Sequence, residues 1–301
     1  MRISRFFIFL SIVVVCIIFL GFRSPNYFAA NPKQKNVVVV FTILEDFAKQ
    51  LLQGVPEVKI HTLIDCNQDP HSFHPHPKIF VLFKNADVTV INGLDFEHWF
   101  KACKEHVKGE LVVASKGVIP LRRVNNPDLF DPHAWHDVKN AMVYVTNMRI
   151  GFKKVYSQFA EIIEKNYQSL IKELMILNQW VLDQFKDLKN RTAITTHDAF
   201  WYYGKTYGIQ FVSPQGISTE EEISAVRMAN LVRVIKERGV RALFLENLSN
   251  SAAVKQLAQE TNTRIGGVLY ADSLSEPDGP CPTYIDMIHH NTDVIKKALS
   301  D

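Results

Sequence analysis

The chain has 301 residues, 47% of them hydrophobic, enough at roughly 150 residues per domain to bury two cores, which excludes a disordered or fibrous protein. Lysine and arginine total 34 against 31 acidic residues, a net charge of +3, and Arg2, Arg5 and Arg23 supply three positives in a stretch with no acid. The body from Asn31 on is therefore neutral, offers a phosphate backbone no basic run, and is not expected to bind nucleic acid.

In chain order, Arg2 and Arg5 precede an apolar run from Phe6 to Phe22 broken only by Ser11 and Gly21. This pattern predicts an export signal or a short N-terminal anchor over residues 1–30, and hence a body outside the cytoplasmic membrane. Lipidation at Cys16 is a third option, although Val14 and Val15 stand where a small residue is preferred. Asn36–Leu44 is a β-branched run that predicts a buried strand, followed by helical spacing through Phe47, Leu51 and Leu52. Strand-like runs recur at Val58–Ile64, Val88–Ile91, Leu111–Ala114, Thr192–Thr196, Gln210–Val212, Arg241–Leu245 and Thr263–Leu269, with helical stretches between most of them. Such alternation predicts an α/β fold with parallel sheets. From Val138 to Leu188 only helical periodicity is present, through Phe159, Ile162, Ile163, Tyr167, Leu170, Ile171, Leu174 and Met175. We read this tract as a strut joining two lobes, the alternative being the outer layer of one continuous domain. The expected division is an N-terminal lobe over 31–137, a helical linker region over 138–190 and a second lobe over 191–301.

The tripeptide Asp-Pro-His occurs twice, at Asp69–His71 and Asp131–His133, each time in a loop after a strand region. Proline stops the ladder there and presents the next side chain. The second half offers His197 in Thr195-Thr196-His197-Asp198 and Asp272 in Tyr270-Ala271-Asp272-Ser273, both at strand ends. Ligands of open parallel sheets collect beyond the carboxyl ends of strands, so His71, His133, His197 and Asp272 are expected to converge on a tetrahedral metal site. Three imidazoles and a carboxylate suit Zn2+, while Mn2+ and Fe2+ can also occupy such a set. Cys66, Cys103 and Cys281 lack the spacing of a zinc ribbon or redox pair, and we expect buried or singly paired thiols.

The strings DPHSFHPHP (Asp69–Pro77), NGLDFEHW (Asn92–Trp99), DPHAWHDVKN (Asp131–Asn140), THDAFWYYGKTYG (Thr196–Gly208), QGISTEEEISA (Gln215–Ala225) and GGVLYADSLSEPDGPCPTYIDM (Gly266–Met287) resemble the TroA-like, zinc/manganese/iron-type substrate-binding proteins of ATP-binding-cassette importers. The resemblance runs from about Val37 to Leu299. It implies two α/β lobes, each a mostly parallel sheet flanked by helices, joined by a long backbone helix. It also implies one metal ligand from each of four loops, which by motif are the same His71, His133, His197 and Asp272. The metal would be cargo, Zn2+ with Mn2+ or Fe2+ as alternatives, and the partners the permease and ATPase subunits of an importer; we expect a periplasmic or otherwise extracytoplasmic monomer.

Manganese-type members tend to carry glutamate where His197 stands, so His197 favours zinc. His74-Pro75-His76-Pro77 departs from the family's acidic residue and Pro-Thr-Pro; we read His74 and His76 as surface histidines, the alternative being a loading ligand. His136 stands where a small, apolar or aromatic residue is usual, and Gly93–Phe130 holds only His98 and His106 rather than a histidine-rich insert. Trp99, Trp135 and Trp201 are expected to pack around the cleft, and Asp69 and Asp131 either to accept a ligating imidazole N–H or to cap a turn. Glu220–Glu222 and Lys236–Arg238 read as solvated helix faces. A metal-dependent hydrolase would need an open coordination position and a base, and HExxH and GxSxG are both absent, so an enzyme is not expected. A metal-binding surface adhesin of the same fold is the main alternative function.

Overall fold

A run of four valines, Val37–Val40, forms the centre of strand β1 (Lys35–Phe41), and every one of them is fully out of solvent. Burial on both faces is what a central strand of a parallel sheet requires. The computed structural model describes residues 34–122 and 129–300. The export or anchor segment, with Cys16, lies outside the described residues, and among those described no helix is long and apolar enough to cross a membrane.

The expected first strand overran its true end by three residues. Helix α1 (Thr42–Leu51) begins directly after Phe41, because Ile43, Leu44, Phe47, Ala48 and Leu51 fall on one buried helical face rather than on alternate faces of a strand. The other predicted strands are present as β2 (Val58–Ile64), β3 (Val88–Ile91), β4 (Glu110–Val113), β5 (Thr192–Ile194), β6 (Gln210–Val212), β7 (Ala242–Glu246) and β8 (Arg264–Leu269). They form two all-parallel four-stranded sheets of identical connectivity, β2-β1-β3-β4 and β6-β5-β7-β8. Helices α2 (Lys78–Asn85) and α3 (Phe100–Cys103) belong to the first half; α6 (Trp201–Tyr207), α7 (Ala225–Arg238), α8 (Ala252–Thr261) and α9 (Tyr284–Ser300) belong to the second.

Between the sheets the chain is helical, as its periodicity predicts, but the tract is broken once. Helix α4 (Val138–Val155) ends at Tyr156, whose φ of −110° and ψ of 49° leave the helical region, and α5 (Ala160–Gln184) follows a short turn. At 1.5 Å per residue α5 is about 37 Å long. One end is fastened to the first half, where the Asn166 amide donates to the carbonyls of Leu51 and Gln53 at 3.1 and 2.8 Å. The other is fastened to the second half, where Lys296 donates to Gln184 at 2.7 Å. Its apolar stripe of Ile163, Leu170, Leu174, Leu177 and Val181 joins a single hydrophobic cluster that runs from Val37 to Leu299. A smaller cluster, including Leu231, Leu243 and Leu257, lies under α7 and α8.

Polar bonds close the seam between the halves. The Tyr202 hydroxyl accepts from Leu121 N at 2.9 Å and donates to Asp131 O at 3.2 Å, and Tyr284 donates to Trp135 O at 2.7 Å. The Trp135 indole donates to Ala271 O at 3.0 Å, and Leu274 N donates to the Thr42 hydroxyl at 2.9 Å. Groups so bonded keep strand ends of one half in register with those of the other, because breaking one strands a buried polar partner.

Helix α4 sits on the first sheet through Gly151, where an added Cβ would lie 2.3 Å from Val112 Cγ2. We predict that Gly151→Ala destabilises the protein by about 1–3 kcal/mol through overpacking. Thermal unfolding of Gly151→Ala/Val112→Ala should show partial recovery; a Gly151→Ala variant as stable as the parent would contradict this packing.

Candidate metal centre

Each of the four side chains expected at the site sits beyond the carboxyl end of a parallel strand. His71 lies in a one-turn 3-10 segment (Pro70–Ser72) after β2, and His133 in the segment leading into α4 after β4. His197 follows β5 by three residues and Asp272 follows β8 by three. Backbone capping sets both Asp-Pro-His turns: His71 N donates to Asp69 Oδ1 and His133 N to Asp131 Oδ1, each at 2.9 Å.

The structure brings all four together, with one donor atom from each within 4.8 Å of the others. His71 Nε2 is 3.2 Å from His133 Nε2 and 3.5 Å from Asp272 Oδ2. His133 Nε2 is 3.4 Å from Asp272 Oδ1, and His197 Nε2 is 3.2 Å from Asp272 Oδ2. A tetrahedron with ligands about 2.0–2.1 Å from its centre has edges of about 3.3 Å, and these four separations are near that length, while all four donors stay within 4.8 Å of one another. His133 and His197 are fully buried and Asp272 nearly so. His197 Nε2 and Asp272 Oδ1 find no hydrogen-bonding partner there, which is costly unless a cation takes both.

The rings are aimed by carboxylates behind them. His133 Nδ1 lies 2.7 Å from Asp131 Oδ1, and His197 Nδ1 bonds to Glu246 Oε2. Each bond holds a proton on Nδ1 and turns Nε2 toward the site. Glu246, the last residue of β7, also accepts from Thr196 N at 2.8 Å, His197 N at 3.1 Å and Ser249 Oγ at 2.9 Å, so it fixes the whole turn that bears His197. Electrostatics separate the groups. Burial pushes His133 well below the ordinary histidine range. Burial acts on His197 in the same sense, but Glu246 and Asp272 outweigh it and hold the ring protonated well above that range. Burial raises the Asp272 carboxyl, yet His197, His71 and His133 more than compensate and keep it well below the usual carboxylate value.

The remaining sequence expectations divide. Asp131 both caps its turn and accepts the imidazole, whereas Asp69 caps its turn and bonds to no imidazole. Trp135 packs on His133 with centroids 5.2 Å apart; Trp99 stacks instead among Phe73, Phe83 and Phe100, and Trp201 starts α6 half-buried with no described ring contact. His74 and His76 are exposed. His136 behaves as an aromatic: it is fully buried, its ring lies 4.5 Å from Phe200, and burial pushes it down to about 3. Cys66, Cys103 and Cys281 are free thiols. Glu220–Glu222 are exposed but lie in an irregular segment, not on a helix, since α7 starts only after the Ser224 cap; Lys236–Arg238 do close α7. Sequence reading assigned no role to Glu246 or to Phe96. Phe96 packs edge-on against His71 at 5.2 Å, held there by left-handed Gly93, Leu94 and Asp95 and by Glu97, whose carboxylate accepts from Asn92 N and Gly93 N. Gly93 adopts its left-handed φ freely, but Leu94 and Asp95, at φ of 55° and 59°, are strained, and the buried Glu97 clamp holds them there.

Residues 37–298 match the family described as zinc-uptake complex component A, periplasmic (ZnuA). The chain is similar to the iron-binding protein YfeA of Yersinia pestis, 29% identical over 272 residues, covering 89% of this chain and 87% of that protein. It is similar to the manganese-binding lipoprotein MntA of Halalkalibacterium halodurans, 29% identical over 266 residues and 88% of each chain. Among solved structures it resembles the periplasmic zinc binding protein TroA from Treponema pallidum, with a TM-score of 0.83 and 28% identity over 88% of this chain and 99% of that one.

Because Glu246 acts on the site only through His197, we predict that Glu246→Gln keeps the fold and weakens divalent-metal binding about 10–100-fold. Calorimetric titration of the two proteins checks this; equal affinities would remove Glu246 from the site.

Proposed function

The chain belongs to the ZnuA family, and from that premise we propose that His71, His133, His197 and Asp272 together hold one divalent cation, Zn2+ in preference to Mn2+ or Fe2+, for delivery to an importer. The coarser function comes with membership: the protein is an extracytoplasmic substrate-binding component of an ATP-binding-cassette transporter for a divalent metal, a binding protein rather than an enzyme. Its partners are accordingly a permease and an ATPase. The single observation that supports the ligand set is the convergence of four donor atoms within 4.8 Å of one another in a largely buried pocket.

Zinc is favoured by the number and kind of donors. Three imidazole nitrogens suit a borderline ion, and four donors at tetrahedral spacing satisfy Zn2+ without water. Mn2+ stands lower in the intrinsic affinity order and favours oxygen ligands and a larger shell. The first two relatives named above carry iron and manganese in their descriptions, and the solved structure carries zinc, so competition between metals is the deciding measurement. We predict that purified protein binds one equivalent of zinc, that zinc displaces manganese in a competition titration at constant pH, and that His71→Ala or His197→Ala abolishes stoichiometric binding. Tighter manganese than zinc binding would overturn the choice of metal; metal retained by both variants would overturn the ligand set.

A pH dependence follows with its sign. In the metal-free protein His197 is held protonated above the normal range, whereas His133 is neutral and Asp272 already ionised. Cargo must therefore expel the proton of His197, so zinc affinity should fall on going from about pH 7 to pH 6. Titration in buffers of different ionisation enthalpy reads that proton directly; a pH-independent affinity with no proton released would contradict it.

A further inference from the structure

The two Asp-Pro-His turns are identical in sequence but not in use. Asp131 turns its carboxylate onto the ring of its own histidine. Asp69 caps His71 N with Oδ1 and with Oδ2 accepts from the hydroxyl of Thr219, 150 residues away in the other half, at 2.6 Å. As a result His71 alone among the three imidazoles has no carboxylate behind its ring among the described residues, and it is also the least buried of the four residues. The loop carrying His71 is held by its surroundings rather than through its ring.

Thr219 belongs to a strap, residues 213–222, anchored beside His197. Asp198 N donates to Gly216 O at 2.9 Å, Gln215 N donates to Thr196 O at 3.3 Å, and the Gln215 amide donates to the carbonyls of Thr219 and Glu221. Ser213 and Arg227 fix the other side of this anchor on the Asp198 carboxylate, at 2.6 and 2.7 Å. The bond from Thr219 to Asp69 thus closes a chain of contacts from the turn of His197, through the strap, to the turn of His71. On the opposite side the His71 loop is tied to the Asp272 loop, where Ser273 Oγ donates to Cys66 O at 3.0 Å and the Asn67 amide to Glu276 at 2.9 Å.

We propose that the Thr219–Asp69 hydrogen bond is a retention tie: it keeps the His71 turn seated against the strap and so sets how fast His71 withdraws and the cargo leaves. The idea rests on the metal-binding role proposed above. Thr219 and Asp69 are positioning residues, acting through His71. A hydrogen bond to a charged acceptor shifts a local equilibrium by about tenfold or more, and here that equilibrium is the opening of one ligand loop. Association is limited by encounter with the open site and should change little, so the effect falls on dissociation.

The test uses the full chain loaded with zinc and chased with excess chelator, comparing the parent with Thr219→Val, which keeps the shape and removes the hydroxyl, and with Thr219→Ser, which restores it. Thr219→Val should release zinc about tenfold faster with unchanged stoichiometry, Thr219→Ser should behave as the parent, and amide exchange over residues 69–73 of the metal-free Thr219→Val protein should quicken. Release by Thr219→Val within twofold of the parent, or a serine variant as fast as the valine one, would overturn the tie while leaving metal capture intact. A parent protein that takes up no zinc, manganese or iron would instead overturn the metal-binding role, and the tie with it.

Discussion

Four groups rich in lone pairs are held in one largely buried pocket, and the strands and the carboxylates behind the rings keep them there. Two imidazole nitrogens face each other at 3.2 Å with a carboxylate 3.4–3.5 Å from both. Lone pairs so arranged repel one another and are removed from water, a cost that in the metal-free protein the proton held on His197 partly offsets. The protein tolerates it only because the supports are stiff. Buried carboxylates fix two of the rings, β3 and the Val37–Phe41 run of β1 are wholly buried, and one hydrophobic cluster runs through both halves. Cargo that binds the folded state alone then returns its binding energy as stability.

That stiffness limits how such a molecule can let go. A hinge that opened the two halves would have to part Trp135 from Ala271, Tyr284 from Trp135 and Thr42 from Leu274, all buried hydrogen bonds, and expose apolar surface along α5. Withdrawal of one loop disturbs much less. The loop least tied down through its ligand ring is the one that bears His71, so under the proposed function an importer that favoured a displaced His71 turn would lower affinity without unfolding the frame.

What was legible in the sequence follows from the range of the forces involved. Buried parallel strands announce themselves as β-branched runs, and the four candidate ligands were readable because each lies in a loop that follows such a run, where the topology of open sheets collects ligands. The end of β1 was misplaced because Ile43 and Leu44 are as apolar as the strand before them, and only tertiary burial tells a helix face from another strand residue. The break at Tyr156 carries neither proline nor glycine to mark it. Glu246 was invisible for a different reason: a lone acidic residue ending an apolar strand looks like any solvated loop start until the fold puts His197 beside it, 49 residues away. The identical Asp-Pro-His turns could not disclose their different uses, since the partner that separates them, Thr219, is brought in only by the assembled cleft.

Selectivity in such a pocket is decided first by what is missing and then by count. A soft monovalent ion would look for sulfur, but the donor set contains none, and burial together with Glu276 pushes the Cys66 thiol up to about 11, keeping it protonated. Between divalent ions the carboxylates act together. Asp272 faces the centre while Asp131 and Glu246 stand one imidazole away, so three negative charges surround the space, one direct and two relayed through N–H bonds. Relayed charge strengthens nitrogen donors without adding oxygen ligands, which raises affinity for an ion content with four short bonds more than for one that wants a larger oxygen-rich shell. The zinc preference proposed above would then depend on Glu246 as well as on His197, since a harder ligand at residue 197 would face the Glu246 carboxylate across an unfavourable like-charge contact.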